Sequence, residues 1–201
     1  MEATPRIELG MEVLQTSALP LGYVALPRRR FYRRRYGGLV CEATVPEHEF
    51  RDVMARLPAG VVVISAHING GYRGLTASSL VSISVDPPMV MVGLEREAAT
   101  TAAVVGGKAF NVSVLTRSQE FVADRFAGRA PAIDPAWRDV PHHLGTNGLP
   151  LIEGCAAWLE CTLVQVHPAG DHDICVGEVT AAIAGSGDPL ILWDRAFWTL
   201  L

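Results

Sequence analysis

The chain has 201 residues, of which 49% are hydrophobic, and its formal net charge is −4. This length and composition fit one domain with a sizeable core. The longest apolar runs are far shorter than the roughly 18 residues that a membrane helix needs, which excludes such a helix and predicts a soluble protein. No apolar core follows a basic start within the first thirty residues, so we expect no secretory signal and a cytoplasmic location.

The first 45 residues differ from the rest of the chain. They carry seven arginines against four glutamates, a balance of +3, whereas residues 46–201 carry ten basic against seventeen acidic groups, a balance of −7. The block Arg28–Arg35 interleaves arginines with aromatic residues. Such a block suits nucleic acid or an anionic surface, and it equally suits a solvated arm. We divide the chain into an irregular arm, 1–45, and a domain, 46–201, and expect neither a nucleic-acid nor a membrane partner.

The domain begins with a predicted amphipathic helix. Thr44 and Glu47 form a capping box, and the helix ends before Pro58. Its apolar residues recur at i, i+3, i+4 and i+7, which predicts one apolar face. They are Phe50, Val53, Met54 and Leu57.

A hairpin and a long alternating strand are predicted next. Val61–Ala66 is a β-branched strand, and Asn69-Gly70 is a hairpin turn signal. Residues 75–85 alternate, which predicts one strand with an apolar face and a hydroxyl face. The hydroxyl face carries Thr76, Ser78, Ser82 and Ser84. Asp86-Pro87-Pro88 ends that strand, and Met89–Leu94 reads as a buried strand.

The second half predicts two short helices among further strands. Residues 98–105 form a helix closed by Gly106-Gly107, and a capping box at Thr116 and Gln119 starts another through about Ala127. Residues 128–148 are loop-like, and the remaining strands are 110–115, 159–166, 174–183 and 190–193. Because strands dominate without a βαβ rhythm, we predict a closed or nearly closed antiparallel barrel with two or three helices.

Several familiar enzyme classes are excluded by their missing motifs. No GxGxxG follows a strand, and there is no Walker motif or GxSxG elbow. The histidines lack metal-ligand spacing with cysteine, so no metal site is expected. The four cysteines show no CxxC pair and are expected to be free thiols in a reducing compartment. They are Cys41, Cys155, Cys161 and Cys175.

A series of segments resembles the flavin reductase family, in that family's order and spacing. Two segments carry most of the likeness: residues 74–88, with the small hydroxyls, and residues 169–179, with Gly170-Asp171-His172. The others are residues 50–61, 110–115, 125–127, 150–154 and 157–161. The resemblance runs from about residue 46 to the end, near three quarters of the chain.

The resemblance implies a fold and an activity. The fold would be mainly β, an FMN-binding split barrel of Greek-key type, assembled as a homodimer. The activity would be NAD(P)H-dependent reduction of FMN or FAD, with NADH or NADPH as co-substrate. The reduced flavin would leave by diffusion and supply a separate flavin-dependent monooxygenase.

The resemblance also implies which residues form the site. His172 would orient the nicotinamide, since hydride transfer needs no proton from its ring. The hydroxyls at 76–79 would surround the isoalloxazine, and the N-terminus of the helix near Thr100 would hold the phosphate. The implied cofactor-binding residues are Thr76, Ala77, Ser78, Ser79, Leu94, Thr100, Thr101, Ser113, Arg125 and Phe126.

Two other functions remain open at this stage. One is an enzyme of the same fold that retains its flavin and acts directly on an organic substrate. The other is a non-catalytic flavin- or nucleic-acid-binding protein in which the Arg28–Arg35 block is the working part.

Overall fold

The computed structural model describes residues 45–129 and 137–199 and the backbone of two short strands before them. The chain divides into two units, Met1–Pro46 and Glu47–Leu201. In the first unit, β1 (Phe31–Arg33) pairs antiparallel with β2 (Leu39–Cys41). Part of the arm that we expected to be irregular is thus a hairpin. The rest of the Arg28–Arg35 block lies outside the described residues, and its role stays a prediction.

The second unit is mainly β with three short helices, as predicted. In chain order its elements are α1 (Glu47–Met54), β3 (Ala59–Gly60), β4 (Val62–Ile68), β5 (Gly71–Ala77), β6 (Val81–Val85), β7 (Pro88–Glu95), α2 (Ala99–Gly107), β8 (Ala109–Val114), α3 (Glu120–Phe126), β9 (His142–Leu144), β10 (Pro150–Ile152), β11 (Ala157–Ala169), β12 (His172–Ala184), β13 (Ile191–Trp193) and β14 (Ala196–Trp198). Within the described ranges, no helix is both long and apolar enough to cross a membrane.

Seven antiparallel strands form the main sheet, in the order β5-β4-β8-β11-β12-β7-β6. β5 and β6 lie at opposite edges of this sheet, yet only residues 78–80 connect them along the chain. The connection from Ala77 to Val81 can span at most about 14 Å, so the two edges must come together. The sheet therefore curls into a barrel, as expected.

The single strand predicted over residues 75–85 is wrong. β5 ends at Ala77 and β6 begins at Val81, with a bend between them. The apolar face does not continue through the bend, because Ala77 is buried whereas Val81, Ile83 and Val85 are exposed. Alternation alone could not reveal the bend.

The other predicted elements are present, with shifted ends. The Asn69-Gly70 hairpin is confirmed, with both residues at positive φ, and so is the capping box at Thr116 and Gln119. α2 runs through both glycines that were expected to end it, and Lys108 takes the left-handed conformation instead. Short strands β3, β9, β10 and β14 were not predicted. β9 lies within residues 128–148, which were expected to be a loop, and pairs with β10 just after that segment.

The two faces of β4 pack into two separate cores. Val62 and Ile64 point into the barrel with Val92, Phe110 and Val112. Val61, just before β4, and Val63 point to the opposite side and join a second core beside α3. This second core also contains Leu115, Ala123, Phe126 and Trp137. Burial on both faces explains why this segment is continuously apolar.

The three cysteines of the second unit are buried thiols, as predicted. Burial raises the pKa of Cys155 and of Cys161 to about 12, and that of Cys175 to about 11. A thiol with such a pKa is uncharged at neutral pH and unreactive as a nucleophile. The cysteines therefore act as small core residues.

One carboxylate is buried in the sheet and holds the loop before β10. Glu160 accepts hydrogen bonds from the Thr146 hydroxyl at 2.7 Å and from the backbone N–H groups of Thr146 and Asn147. Burial raises the pKa of the Glu160 carboxyl, but these hydrogen bonds outweigh burial and bring the pKa below its usual value. These hydrogen bonds attach the loop to β11, so we assign Glu160 a structural role.

We predict that Gly177→Ala destabilises the barrel. A Cβ at Gly177 would lie 2.5 Å from the fully buried ring of Phe110 and 3.1 Å from Cys161 Cβ. Overpacking of this kind costs about 1–3 kcal/mol, measurable by urea unfolding. Gly60→Ala is the matched control, because its Cβ would meet no atom of the described residues within 4 Å. Equal stabilities of the two variants would contradict the tight packing of β12 on Phe110.

Candidate functional site

A cavity of about 330 Å³ opens where β5 ends, beside β7 and the start of β12. It collects five of the predicted site residues, which are Thr76, Ala77, Ser78, Ser79 and His172. Its remaining lining residues are Leu75, Gly93, Glu95 and Ala127. Segments almost a hundred residues apart in the sequence thus meet here because β7 pairs with β12, with Glu95 opposite His172.

Ser79 fastens the bend between β5 and β6 to β7. Its hydroxyl donates to the Gly93 carbonyl at 2.8 Å and accepts from the Gly93 N–H at 3.1 Å. The β6–β7 ladder pairs Val81 with Met91, so the same register places Ser79 opposite Gly93. The side chain thus occupies the place of a backbone partner. The hydroxyl that we predicted to bind the flavin is already used by the fold.

Ser78 is the hydroxyl of the bend that is free to bind a ligand. It is exposed, it lines the cavity, and its side chain bonds to no other residue of the described ranges. Thr76 is different, because its hydroxyl donates to the Ala123 carbonyl of α3 at 2.7 Å. Ala77 also lines the cavity, and it belongs to the core inside the barrel.

His172 begins β12 and lies at the rim of the cavity. It was expected within a tight turn, but it already pairs with Ala169, and the turn itself is Gly170-Asp171. Its Nδ1 lies 2.8 Å from Asp171 Oδ1, and its side chain is 48% exposed. Hydrogen bonding to the His172 ring lowers the pKa of the Asp171 carboxyl. The carboxylate orients the ring and leaves Nε2 as the acceptor of the neutral imidazole.

The remaining predicted residues do not line the cavity. Leu94 and Phe126 are core side chains, and Phe126 packs at 4.8 Å on the Trp137 ring. Ser113 is buried and accepts a hydrogen bond from the Ile152 N–H, while the Arg125 guanidinium binds the Arg138 carbonyl and covers the Phe121 ring. Their side chains have structural partners. Their predicted contacts with a ligand stay predictions.

The phosphate site predicted at the start of α2 stays a prediction. Thr100 and Thr101 are buried, and the Thr101 hydroxyl donates to the Glu95 carbonyl at 2.6 Å. Ala98, which precedes the helix, makes no side-chain cap, so the first N–H groups of α2 have no side-chain acceptor from it. An anion near this end would bind backbone N–H groups rather than the threonine hydroxyls.

A second cavity of about 560 Å³ adjoins the first and shares Ser78 and Ser79 with it. Its walls are mostly apolar side chains from α1 and the residues just after it, from β6 and from the β13–β14 hairpin: Phe50, Met54, Leu57, Val81, Leu192 and Trp193. Sequence reasoning missed this cavity, because the pairing of β13 with β3 that brings the hairpin to α1 has no local signal. In the described ranges, no cluster of His, Cys, Asp or Glu has the geometry of a metal site.

Comparison with known proteins gives the family of this chain. Residues 54–200 match the family described as flavin reductase like domain. The chain belongs to the flavin reductase family. The chain is 38% identical over 75% of its length to an actinorhodin polyketide dimerase of Streptomyces coelicolor, of which it covers 84%. It is 32% identical over 76% of its length to the reductase component of a Thermus thermophilus 4-hydroxyphenylacetate 3-monooxygenase, of which it covers 95%.

A solved structure confirms the split-barrel fold of this flavin reductase. It is BorF, the flavin reductase component of a bacterial two-component tryptophan halogenase, with a TM-score of 0.72 and 33% sequence identity. The match covers 77% of this chain and 98% of that one. The fold prediction is therefore confirmed.

We expect the two bend serines to respond differently to removal of their hydroxyls. Ser78→Ala should raise the flavin Kd about three- to tenfold, the loss of one hydrogen bond of about 1 kcal/mol, with little change in stability. Ser79→Ala should instead lower the free energy of unfolding by about 1–2 kcal/mol, because both Gly93 backbone groups lose their partner. Flavin titration and thermal unfolding of both variants check this. Unchanged flavin affinity in Ser78→Ala would remove the bend from the site.

Proposed function

We propose that the cavity at Ser78 and His172 binds the isoalloxazine ring of FMN or FAD and presents it to NADH or NADPH. The chain is an NAD(P)H-dependent flavin reductase that supplies reduced flavin to a separate monooxygenase. The observation that carries the site assignment is the convergence on one cavity of two sequence segments, 76–79 and 172.

The residues of the cavity fit a flavin ring. Ser78 offers an unused hydroxyl, and Ala77 and Gly93 leave room for a flat ring close to the strands. Volumes of a few hundred Å³, open on one side, are typical of small-molecule sites. When bound, the flavin supplies the acceptor for the hydride, and the chain supplies binding and orientation.

The charge of the cavity favours the ring over the phosphate. The exposed Glu95 carboxylate lines the cavity, and a phosphate beside it would be repelled. The phosphate is therefore expected outside the cavity, where the uncapped start of α2 provides N–H groups. This arrangement is compatible with either FMN or FAD.

His172 has the right chemistry to orient a nicotinamide. Asp171 fixes the ring through Nδ1, which leaves Nε2 to accept a hydrogen bond. The carboxamide N–H of a nicotinamide is a donor of that kind. In this role His172 holds the hydride donor against the ring and transfers no proton.

The experiment that tests the function measures how much flavin one chain reduces. Under anaerobic conditions with excess NADH, a trace of protein should bleach the visible absorbance of a large excess of free FMN. Bleaching that stops at one flavin per chain would mean that the flavin is retained. If the protein oxidises no NADH when FMN is added, when FAD is added or without added flavin, the reductase activity is contradicted.

The retained-flavin alternative is favoured by one observation. The apolar cavity of about 560 Å³ adjoins the proposed flavin site, and it could hold an organic substrate beside the ring. One relative is named for chemistry on a polyketide: the actinorhodin polyketide dimerase of Streptomyces coelicolor. The bleaching experiment separates this alternative from the main proposal.

A homodimer is proposed from an apolar face that the described part of the chain leaves open. The apolar residues predicted for this helix are exposed: Phe50 by 58% and Val53 by 69% in α1, and Leu57, just after it, by 62%. A monomer rarely exposes a contiguous apolar patch of this kind. A second copy on this face would also enclose the cavity at α1.

The buried thiols suit the reducing cytoplasm, where we place the protein.

We expect the protein to sediment at twice the chain mass. Val53→Glu should weaken the dimer by placing a charge on the apolar face of α1. His48→Glu is the matched control, because His48 is an exposed polar residue of the same helix. A monomeric wild-type protein in sedimentation equilibrium would contradict the proposal.

We expect His172→Ala to lower kcat/KM for NADH by up to roughly a hundredfold, the effect of misplacing a hydride donor by about 1 Å. The flavin Kd should change little, because Ser78 and Gly93 remain. His167→Ala is the matched control, because His167 is exposed on the same hairpin and its ring bonds, among the described residues, only to Gln165. Normal NADH kinetics in His172→Ala would show that the ring has no role. Abolished flavin binding would make it a flavin ligand instead.

A further inference from the structure

Arg96, the residue that follows β7, contacts three consecutive residues at the β11–β12 turn. Its backbone N–H donates to the Asp171 carbonyl at 3.0 Å. Its Nε donates to Asp173 Oδ1, also at 3.0 Å. One of its Nη groups donates to the His172 carbonyl at the same distance. Arg96 therefore binds the main-chain carbonyls of Asp171 and His172 and the side chain of Asp173.

The ion pair in this set is partly shielded from water. The Arg96 and Asp173 side chains are 36% and 15% exposed, whereas Arg117 and Asp188, 4.0 Å apart, are 62% and 59% exposed. A charge-assisted hydrogen bond with restricted water access holds its geometry better than an exposed pair. Asp173 is thus a firm anchor for the Arg96 guanidinium.

His172 is consequently held at two levels. Arg96 fixes its carbonyl and the residues on either side, and Asp171 holds its ring through Nδ1. Arg96 does not line the cavity, so it does not reach a ligand there directly. Its effect on a bound nicotinamide would pass through the position of His172.

We propose that Arg96 is a positioning residue for the reaction with NADH and that it acts through His172. This inference rests on the proposed role of His172 at the nicotinamide. It predicts that removal of the guanidinium affects the NADH step and spares flavin binding, since the ring contacts proposed at Ser78 and Gly93 do not involve the turn and the guanidinium is already bound by Asp173 and the His172 carbonyl.

The test is a double-mutant cycle of Arg96→Ala and His172→Ala in the full chain. Arg96→Ala alone should lower kcat/KM for NADH about tenfold, while the flavin Kd changes less than about twofold. In the His172→Ala background, the same substitution should lower kcat/KM less than about twofold, because the group that it positions is already gone. A residue that only stabilises the fold would lower both backgrounds equally.

Arg117→Ala is the matched control, because Arg117 also binds one acidic residue, Asp188, through its backbone N–H and its side chain. It should leave NADH kinetics unchanged. If Arg96→Ala does not fold, Arg96→Lys takes its place in the cycle. It keeps the charge but loses the two-point contact, and a smaller loss that again vanishes without His172 supports the proposal.

The outcomes separate this inference from the function on which it rests. Equal losses in both backgrounds would overturn the role of Arg96 and leave that of His172 intact. Normal NADH kinetics in His172→Ala would overturn both. A raised flavin Kd in Arg96→Ala would also overturn the inference, because the turn would then support the flavin itself.

Discussion

The closure of the barrel at residues 78–80 is the constraint on which the site depends. Two strands at opposite edges of the sheet are joined by three residues, and the Ser79 hydroxyl completes the join by pairing with both backbone groups of Gly93. The closure forces the end of β5 against β7. Since β7 also pairs with β12, the same contact brings the Ser78 hydroxyl to the cavity that His172 lines.

This geometry assigns different tasks to neighbouring residues of one short segment. Thr76 is bound to α3 and Ser79 to β7, so both hydroxyls maintain the shape of the cavity. Ser78 alone keeps an unused hydroxyl among the described residues of the segment. A similar division holds at the turn, where Arg96 and Asp171 hold the main chain and the ring of His172. The ligand-facing groups are few, and they are supported by groups that do not face the ligand.

Much of the fold could be predicted from the sequence because its signals are local. The Asn69-Gly70 turn, the capping box at Thr116 and the helical spacing in α1 each depend on residues a few positions apart. The bend at Ser78 could not be predicted, because the alternation continues through it. The apolar face of α1 was predicted, but its exposure depends on long-range packing that the spacing does not contain.

The predicted site residues stay predictions, and the structure shows which of their side chains already have a partner in the fold. The resemblance grouped residues 76–79 and 172 in one site, and both segments line one cavity, but the resemblance could not distinguish a hydroxyl used by the fold from a free one. Ser113, Thr101 and Arg125 each have a structural partner that only the folded chain provides. Glu95 and Gly93 enter the cavity through the pairing of β7 with β12, a contact without a sequence signal.

The central claim is that the flavin ring binds at the bend between β5 and β6. Amide chemical-shift changes during titration of the isotopically labelled chain with FMN test it most directly. The account predicts that the earliest and largest changes occur at Ala77, Ser78, Gly93 and His172. Changes centred instead on His67, Tyr72 and Asn147, which line a separate cavity of about 350 Å³, would contradict it.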